Sequence, residues 1–514
     1  MRVTLLLTSL LLMCGSAFAG GTVGFNVKWY STGQWPFNDI VDSPGAEDTT
    51  GIVIADLNRD GIPDVAYSYS CCGNGSGGGV IVKLGTGGGS LGPDVPYLFG
   101  QNDLAELKTA DLNGDGWLDL MAPDVFSSTI NVFLNNGDGT FYYAGKVALG
   151  GTYSGPFTLG DFNHDGKIDL AEIACDQPQG GFPGGASCTL NIGLGDGTGL
   201  NFAQSQSIQL AGSSYDLQSA DINGDGKLDL AFVRGSVGVI LWGRGDGTFS
   251  GPTYLKPSTT DPMDALAIAD FNNDGRLDIA LLSGYPCSPD PNQGACGQGN
   301  VNNVWMYKNN GGTSFSLPTH TQFTAQAGMI VPADINGDLN QDLLHFNQFA
   351  GGIYPIIDPH GGYEYVLGLG NDLLGTQGTF SNSWISAVTF RDMDGDSRAD
   401  YVVIDWLTNQ LGVGIQTGGY KNCPPPNSAK LAAKICGISN GATVSSPLLL
   451  KASGNSPAGV SQLQVWIDGK KQYIKWGDQL AKKFTLASGK HRIAVVANDH
   501  YIGSATTAVS VTVP

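Results

Sequence analysis

A nine-residue pattern, D-x-(N/D)-x-D-G-x-x-D, begins at Asp56, Asp111, Asp161, Asp221, Asp270, Asp334 and Asp392. Five copies are complete: DLNRDGIPD, DLNGDGWLD, DFNHDGKID, DINGDGKLD and DFNNDGRLD. The sixth, DINGDLNQD, has Leu339 where the glycine falls, and the seventh, DMDGDSRAD, has Ser397 there. Positions 1, 3, 5 and 9 supply carboxylate or amide oxygens. In order along the chain they are Asp56, Asn58, Asp60 and Asp64; Asp111, Asn113, Asp115 and Asp119; Asp161, Asn163, Asp165 and Asp169; and Asp221, Asn223, Asp225 and Asp229. The remaining three sets are Asp270, Asn272, Asp274 and Asp278; Asp334, Asn336, Asp338 and Asp342; and Asp392, Asp394, Asp396 and Asp400. A hard cation such as calcium takes six or more oxygens, and a backbone carbonyl at position 7 would add another.

Position 7 is Ile62, Trp117, Lys167, Lys227, Arg276, Asn340 and Arg398, a freedom that makes sense if only its carbonyl is used. Position 2 is always apolar (Leu57, Leu112, Phe162, Ile222, Phe271, Ile335, Met393) and is expected to turn inward. Glycine at position 6 permits the positive φ of a sharp turn. An EF-hand would need a glutamate at position 12, which here is Tyr67, Ala122, Glu172, Phe232, Leu281, His345 and Val403, and flanking helices. The flanks read as strands, so that motif is rejected. A metal-free Asx turn would explain one copy. Seven copies gather 22 carboxylates, and such close carboxylates repel unless a cation lies among them. About five to seven Ca²⁺ ions are therefore expected. Seven would bring the formal charge of −20 to about −6, so the acidity is mostly metal-site charge.

The elements that position these loops repeat as well. Each loop follows an apolar stretch such as GIVIAD or LAIAD and precedes another, such as DVAYS or DLAFV. A third run follows, such as INVFLN or VGVILWG, then a Gly-Asp-Gly-Thr type turn and a fourth run, such as FYYAGKVAL. Four short strands in roughly 50 residues form one blade of a β-propeller. The seventh unit lacks a fourth run, and the N-terminal GFNVKWY lacks a loop. Residues near Phe25 to Tyr30 are expected to supply the missing strand and close the ring. After Cys423-Pro424-Pro425-Pro426 the Asp loops stop and alternating strands follow, with a hairpin at Asp468-Gly469. The expected fold is all-β: a seven-bladed β-propeller over 20–422, a proline-rich linker over 423–427, and an immunoglobulin-like β-sandwich over 428–514.

On these loops the chain resembles the FG-GAP or VCBS repeats of integrin-α-like propellers, in which such loops bind calcium. The resemblance covers about residues 23 to 421, and the chain departs from it at Leu339 and Ser397. The C-terminal part is similar to bacterial Ig-like modules.

Residues 1–19 read as a secretory signal, with Arg2, an apolar run from Val3 to Met13, and Ala17-Phe18-Ala19 as the cleavage site. No later segment is apolar enough to span a membrane. Eight cysteines then remain, with local pairs Cys175/Cys188, Cys287/Cys296 and Cys423/Cys436 and adjacent Cys71 and Cys72, a pattern of disulfides stapling loops in an exported chain. The acidic balance disfavours nucleic acid and anionic lipid surfaces.

Three short motifs are absorbed by the repeat. Arg244-Gly245-Asp246 and Gly88-Gly89-Ser90-Leu91-Gly92 lie in hairpin turns, and the Gly73–Gly78 run has no helix after it. None of the six histidines forms a metal or catalytic motif, and His164 occupies a free fourth position of a loop. No catalytic residue is assigned.

The connections between second and third strands swell in blades one, three, five and six. They should share one face, opposite the Asp loops, and carry function. Phe182, Tyr285, Phe349 and Tyr354 are the candidate ligand-contacting residues there. The expected role is a secreted, calcium-stabilised binding or adhesion module for an extracellular glycan or protein, with the Ig-like domain as a spacer. The alternatives are a carbohydrate-active enzyme resembling propeller polysaccharide lyases, with Tyr354, His360 and Tyr363 as its nearest cluster, or a structural envelope protein.

Overall fold

The fold is known from a computed structural model. It describes residues 25–31, 51–69, 78–99, 104, 106–124, 127–151, 153–176, 187–212, 214–259, 261–283, 302–323, 329–336, 338, 340–346, 364–368, 374–379, 385–396, 398–405, 410–417, 423, 425–426, 428, 430–456, 459–499 and 503–514. Every regular element among them is a β-strand. The signal segment, Cys71, Cys72, Cys287, Cys296, Phe182, Tyr285, Phe349, Tyr354, His360 and Tyr363 lie outside the described residues.

Seven antiparallel four-stranded sheets follow one another along the chain. Sheet 1 runs Ile52–Ala55, Asp64–Tyr69, Gly78–Lys83, Val95–Phe99. The first strands of sheets 2 to 6 are Lys108–Ala110, Tyr153–Gly160, Ser214–Ala220, Met263–Ala269 and Met329–Ala333. Sheet 7 takes Ile385–Arg391, Asp400–Asp405 and Gln410–Gln416 from one end of the chain and Phe25–Ser31 from the other. Phe25 pairs with Gln416 and Ser31 with Gln410. That pairing covers what would otherwise be an open strand edge.

Alternation explains how the sheets stack. Successive side chains of a strand point to opposite faces, and the middle strands are apolar on both, as in DLMAP and INVFLN, which are buried throughout. Each sheet therefore packs against two neighbours. Leu120 and Phe133 of sheet 2 join Ala66 and Val82 of sheet 1, while Met121 and Val132 join Phe157 and Leu170 of sheet 3. Equivalent clusters join sheets 3 and 4, 4 and 5, 5 and 6, and 6 and 7. A further cluster puts Tyr67 and Ile81 of sheet 1 against Val402 and Leu411 of sheet 7, so the succession returns to its start. Burying each such side chain contributes roughly 1.5–3 kcal/mol.

In every sheet the Asp loop joins the first strand to the second. The second strand ends, and the third begins, at the opposite end of the sheet, as Asp169–Cys175 and Ser187–Gly195 do. A disulfide joins Cys175 to Cys188 at that opposite end.

Residues 432–513 form a three-stranded and a five-stranded sheet that share one apolar core, including Leu450, Leu463, Val465, Leu480, Ile493 and Val495. The Cys423–Cys436 disulfide ties the linker to this unit. The unit is not a detached spacer. Lys475 Nζ donates to Asn273 Oδ1 at 2.6 Å and Tyr473 Oη to the Asn273 carbonyl at 3.2 Å. Arg391 Nη1 donates to the Ile54 carbonyl at 2.9 Å and Nη2 to the Ser456 carbonyl at 2.7 Å. Gly275 lies so close that a Cβ there would meet the Ile474 carbonyl oxygen at 3.0 Å. The C-terminal unit therefore sits on the Asp-loop end of the sheets and does not stand away from them as a spacer would.

Candidate metal centres

Each loop is folded by its own acidic residues. At position 1, Asp56 accepts the N–H groups of Asp60 and Gly61, both at 3.1 Å, and Asp161, Asp221 and Asp270 do the same. At position 3, the side-chain oxygens of Asn58, Asn113, Asn163, Asn223, Asn272, Asn336 and Asp394 accept the position-5 N–H. At position 5, Asp60, Asp115, Asp165, Asp225, Asp274, Asp338 and Asp396 accept the N–H of Ile62, Trp117, Lys167, Lys227, Arg276, Asn340 and Arg398. These are successive Asx turns. A carboxylate oxygen has two lone-pair directions, so an N–H bond leaves acceptor capacity for a cation.

Position 9 does more than the sequence implies. Asp64, Asp119, Asp169, Asp229, Asp278, Asp342 and Asp400 are all fully buried. In every loop this carboxylate accepts the N–H of the apolar position-2 residue, at 2.7–3.1 Å. In six sheets its other oxygen accepts an N–H at the end of the third strand: Gly85, Asn135, Gly195, Gly243, Asn309 or Gln416. One carboxylate thus fastens the loop, the second strand and the third strand together. Position 2 is buried in all seven loops, as its apolarity implied.

The backbone also differs from the sequence expectation at position 4. Glycine at position 6 has positive φ in the five complete loops, but position 4 does too. Arg59, His164 and Asn273 have φ of 56°, 60° and 57°, and Gly114, Gly224 and Gly395 share that region. His164 is therefore held in a left-handed conformation that L-residues adopt at a cost. Arg59 stacks over Trp117 of the next loop, 4.5 Å from the ring centroid.

Asn135 and Asn309 were not singled out from the sequence. Asn135 Nδ2 donates to the carbonyls of Leu118 and, in the neighbouring sheet, Leu57; Asn309 does the same with Leu277 and Ile222. Gln416 reaches the Ile335 carbonyl in the same way. The only trace in the sequence is a polar residue closing an apolar third run, as in INVFLN.

Burial opposes the ionisation of these carboxylates. Burial pushes Asp64, Asp119, Asp229 and Asp400 up to about 7, and Asp169 to about 6. Neighbouring carboxylates add to the rise: Asp60 and Asp56 act on Asp64, and Asp115 and Asp111 on Asp119. Burial likewise raises Asp56, Asp111, Asp221, Asp270 and Asp394. Every donor in these clusters is a hard oxygen, so the residues could hold a hard cation, whose charge would offset the cost of ionising them when buried. In the seventh loop, carboxylate oxygens of Asp392, Asp394 and Asp400 lie within 4.8 Å of one another. Here Asp394 replaces the usual asparagine, adding a third converging carboxylate.

No helix among the described residues is long and apolar enough to cross a membrane. No curated protein matches the chain. Solved structures give distant likenesses. A lectin of Agrocybe aegerita that recognises non-reducing terminal N-acetylglucosamine is 16% identical, with 65% of this chain and 81% of that one covered and a TM-score of 0.41. BBS1N, from its complex with ARL6DN, is 11% identical over 73% of this chain and 94% of its own, with a TM-score of 0.43. The rhamnogalacturonan lyase YesW is 14% identical over 71% of each chain, with a TM-score of 0.39. Residues 111–171 and 221–281 match the FG-GAP-like repeat, and each match spans two whole Asp loops, 111–119 with 161–169 and 221–229 with 270–278.

Proposed function

We propose that the chain is an exported, calcium-stabilised seven-bladed β-propeller carrying an Ig-like module, and that it binds an extracellular glycan or protein. The observation that carries this reading is the repeated loop chemistry: seven buried position-9 carboxylates, six of them bonded to both the loop and the third strand, with neighbouring carboxylates acting on Asp64, Asp119, Asp169, Asp229 and Asp400. The seven sheets and their successive cores support a closed ring. Calcium supplies the charge that lets these carboxylates stay ionised when buried. It stabilises the blades, and the connections at the opposite end are left to meet the partner. The Cys175–Cys188 disulfide and the absence of a membrane-crossing helix among the described residues fit export.

Metal analysis together with a glycan array, run with calcium and with EDTA, tests the proposal. Several calcium ions per chain, a melting temperature that falls on chelation, and selective glycan retention are expected. A metal-free protein that melts identically in both buffers would refute the calcium reading. Release of shortened saccharides from a polysaccharide would replace binding by catalysis.

A further inference from the structure

The C-terminal unit brings fixed positive charge to two of the Asp loops it covers. Lys475 is buried, and its Nζ donates to Asn273 Oδ1 at 2.6 Å. Asn273 stands at position 4 of the fifth loop, and its own Nδ2 donates to Asn340 Oδ1 of the sixth loop at 2.7 Å. The Lys475 ammonium thus lies where loops 270–278 and 334–342 meet. Tyr473 Oη on the Asn273 carbonyl, at 3.2 Å, and the close approach of Ile474 to Gly275 hold its strand in that place.

A buried ammonium is costly unless opposite charge faces it. Asn273 is neutral, so the balancing charge comes from carboxylates. Burial pushes Lys475 below its usual range, and Asp270, Asp334 and Asp338 act against that. These are position 1 of the fifth loop and positions 1 and 5 of the sixth, the same groups assigned to calcium. From the side of the loop, burial raises Asp270, and Lys475 is the strongest influence lowering it. At Asp56, Asp111 and Asp221 burial again raises the carboxyl, but the strongest opposing influence is the backbone N–H of Gly61, Gly116 or Gly226. Burial also lowers Lys482, a second lysine of the C-terminal unit, and Asp270 and Asp274 oppose it.

We infer that Lys475, assisted by Lys482, is a tethered counter-cation that sets the calcium affinity of the fifth and sixth loops; this rests on the calcium binding proposed above. An ammonium and a divalent cation drawing on the same carboxylates repel each other, so each weakens the other's hold. Binding linkage is reciprocal: the factor by which the docked unit weakens calcium at these loops is the factor by which calcium there loosens the docking. At the seventh and first loops the unit instead brings Asp478, whose negative charge acts on Arg391. The effect therefore belongs to the fifth and sixth loops.

The test uses the full chain, stripped of metal and equilibrated at stepped free calcium concentrations. Hydrogen exchange read by peptide mass gives a calcium midpoint for each loop. Lys475→Met should move the midpoint of 270–278 to about fivefold lower calcium or further. Lys482→Met should move it the same way by less. Lys475→Arg, which keeps the charge, should stay close to wild type, and the midpoint of 161–169 should not move in any variant. Melting temperature in calcium checks the fold; should Lys475→Met fail to fold, Lys482→Met, which is only half-buried, decides. An unchanged or higher midpoint in the deciding variant, or an equal fall in Lys475→Arg, overturns the inference while calcium binding itself stands. A wild-type chain in which no loop responds to calcium overturns the calcium reading, and this inference with it.

Discussion

Replacing Asp119 by alanine separates the structural from the metal-binding role of position 9. Its two oxygens accept the Leu112 N–H at 2.9 Å and the Asn135 N–H at 2.8 Å, and the side chain is fully buried. Alanine leaves two buried amides without acceptors, at about 1–3 kcal/mol each, or roughly 2–6 kcal/mol together. Without calcium at about pH 8 a second effect opposes this. The carboxyl is pushed up to about 7 from 3.8, so ionising it in the folded state costs on the order of 4 kcal/mol, which the substitution relieves. The net change in chelator should therefore be small, between a gain and a loss of about 2 kcal/mol. With calcium the cation offsets the buried charge, the relief disappears, and the loss should rise to about 3 kcal/mol or more. Urea unfolding of wild type and Asp119→Ala, in calcium and in chelator, measures both values. Asp115→Ala is the control, because Asp115 is exposed and its loss should matter mainly with calcium. Equal losses for Asp119→Ala in the two buffers, or a loss below about 1 kcal/mol in calcium, would refute the reasoning.

Three further outcomes are expected. Asn135→Ala removes the amide that ties sheet 2 to the Leu57 carbonyl of sheet 1, and should cost about 1–3 kcal/mol in urea unfolding with calcium content unchanged. Asp264 lies at a register shift in Met263–Ala269, and burial pushes its carboxyl up to about 7. A folded pKa above the unfolded value means the folded state holds the proton more tightly, so this residue's penalty is absent below about pH 4 and grows as pH rises to about 7. Asp264→Asn should thus match wild type near pH 4 and exceed it by on the order of 1–3 kcal/mol at pH 8 in thermal or urea unfolding. Deleting residues 20–31 should expose the Gln410–Gln416 strand and promote aggregation, measured by light scattering; a monomeric truncation of wild-type stability would contradict the pairing at Phe25–Ser31.

Much of this protein is written locally. A loop of nine residues folds on hydrogen bonds that span two to seven positions, so its acidic spacing, apolar second residue and position-6 glycine were legible in the chain. The four-strand period was equally legible, because each run alternates with the strand repeat and each turn carries its own glycine and aspartate. The positive φ at Arg59, His164 and Asn273 was not, since position 4 tolerates several side chains and leaves no consistent mark.

Long-range geometry decided the rest. Asp119 reads as one more ligand until the third strand brings the Asn135 N–H beside it, 16 residues away. Asn135 and Asn309 reach carbonyls 78 and 87 residues back, across a boundary between sheets that no local pattern encodes. The seating of residues 473–479 over the loops depends on Asn273, 200 residues earlier. By itself the sequence determined strands, loops and their donor chemistry, because those arise from near neighbours. Tertiary structure alone decided which carboxylates are buried latches, and where the C-terminal unit rests, because burial and desolvation are set by chain segments that meet only in the fold.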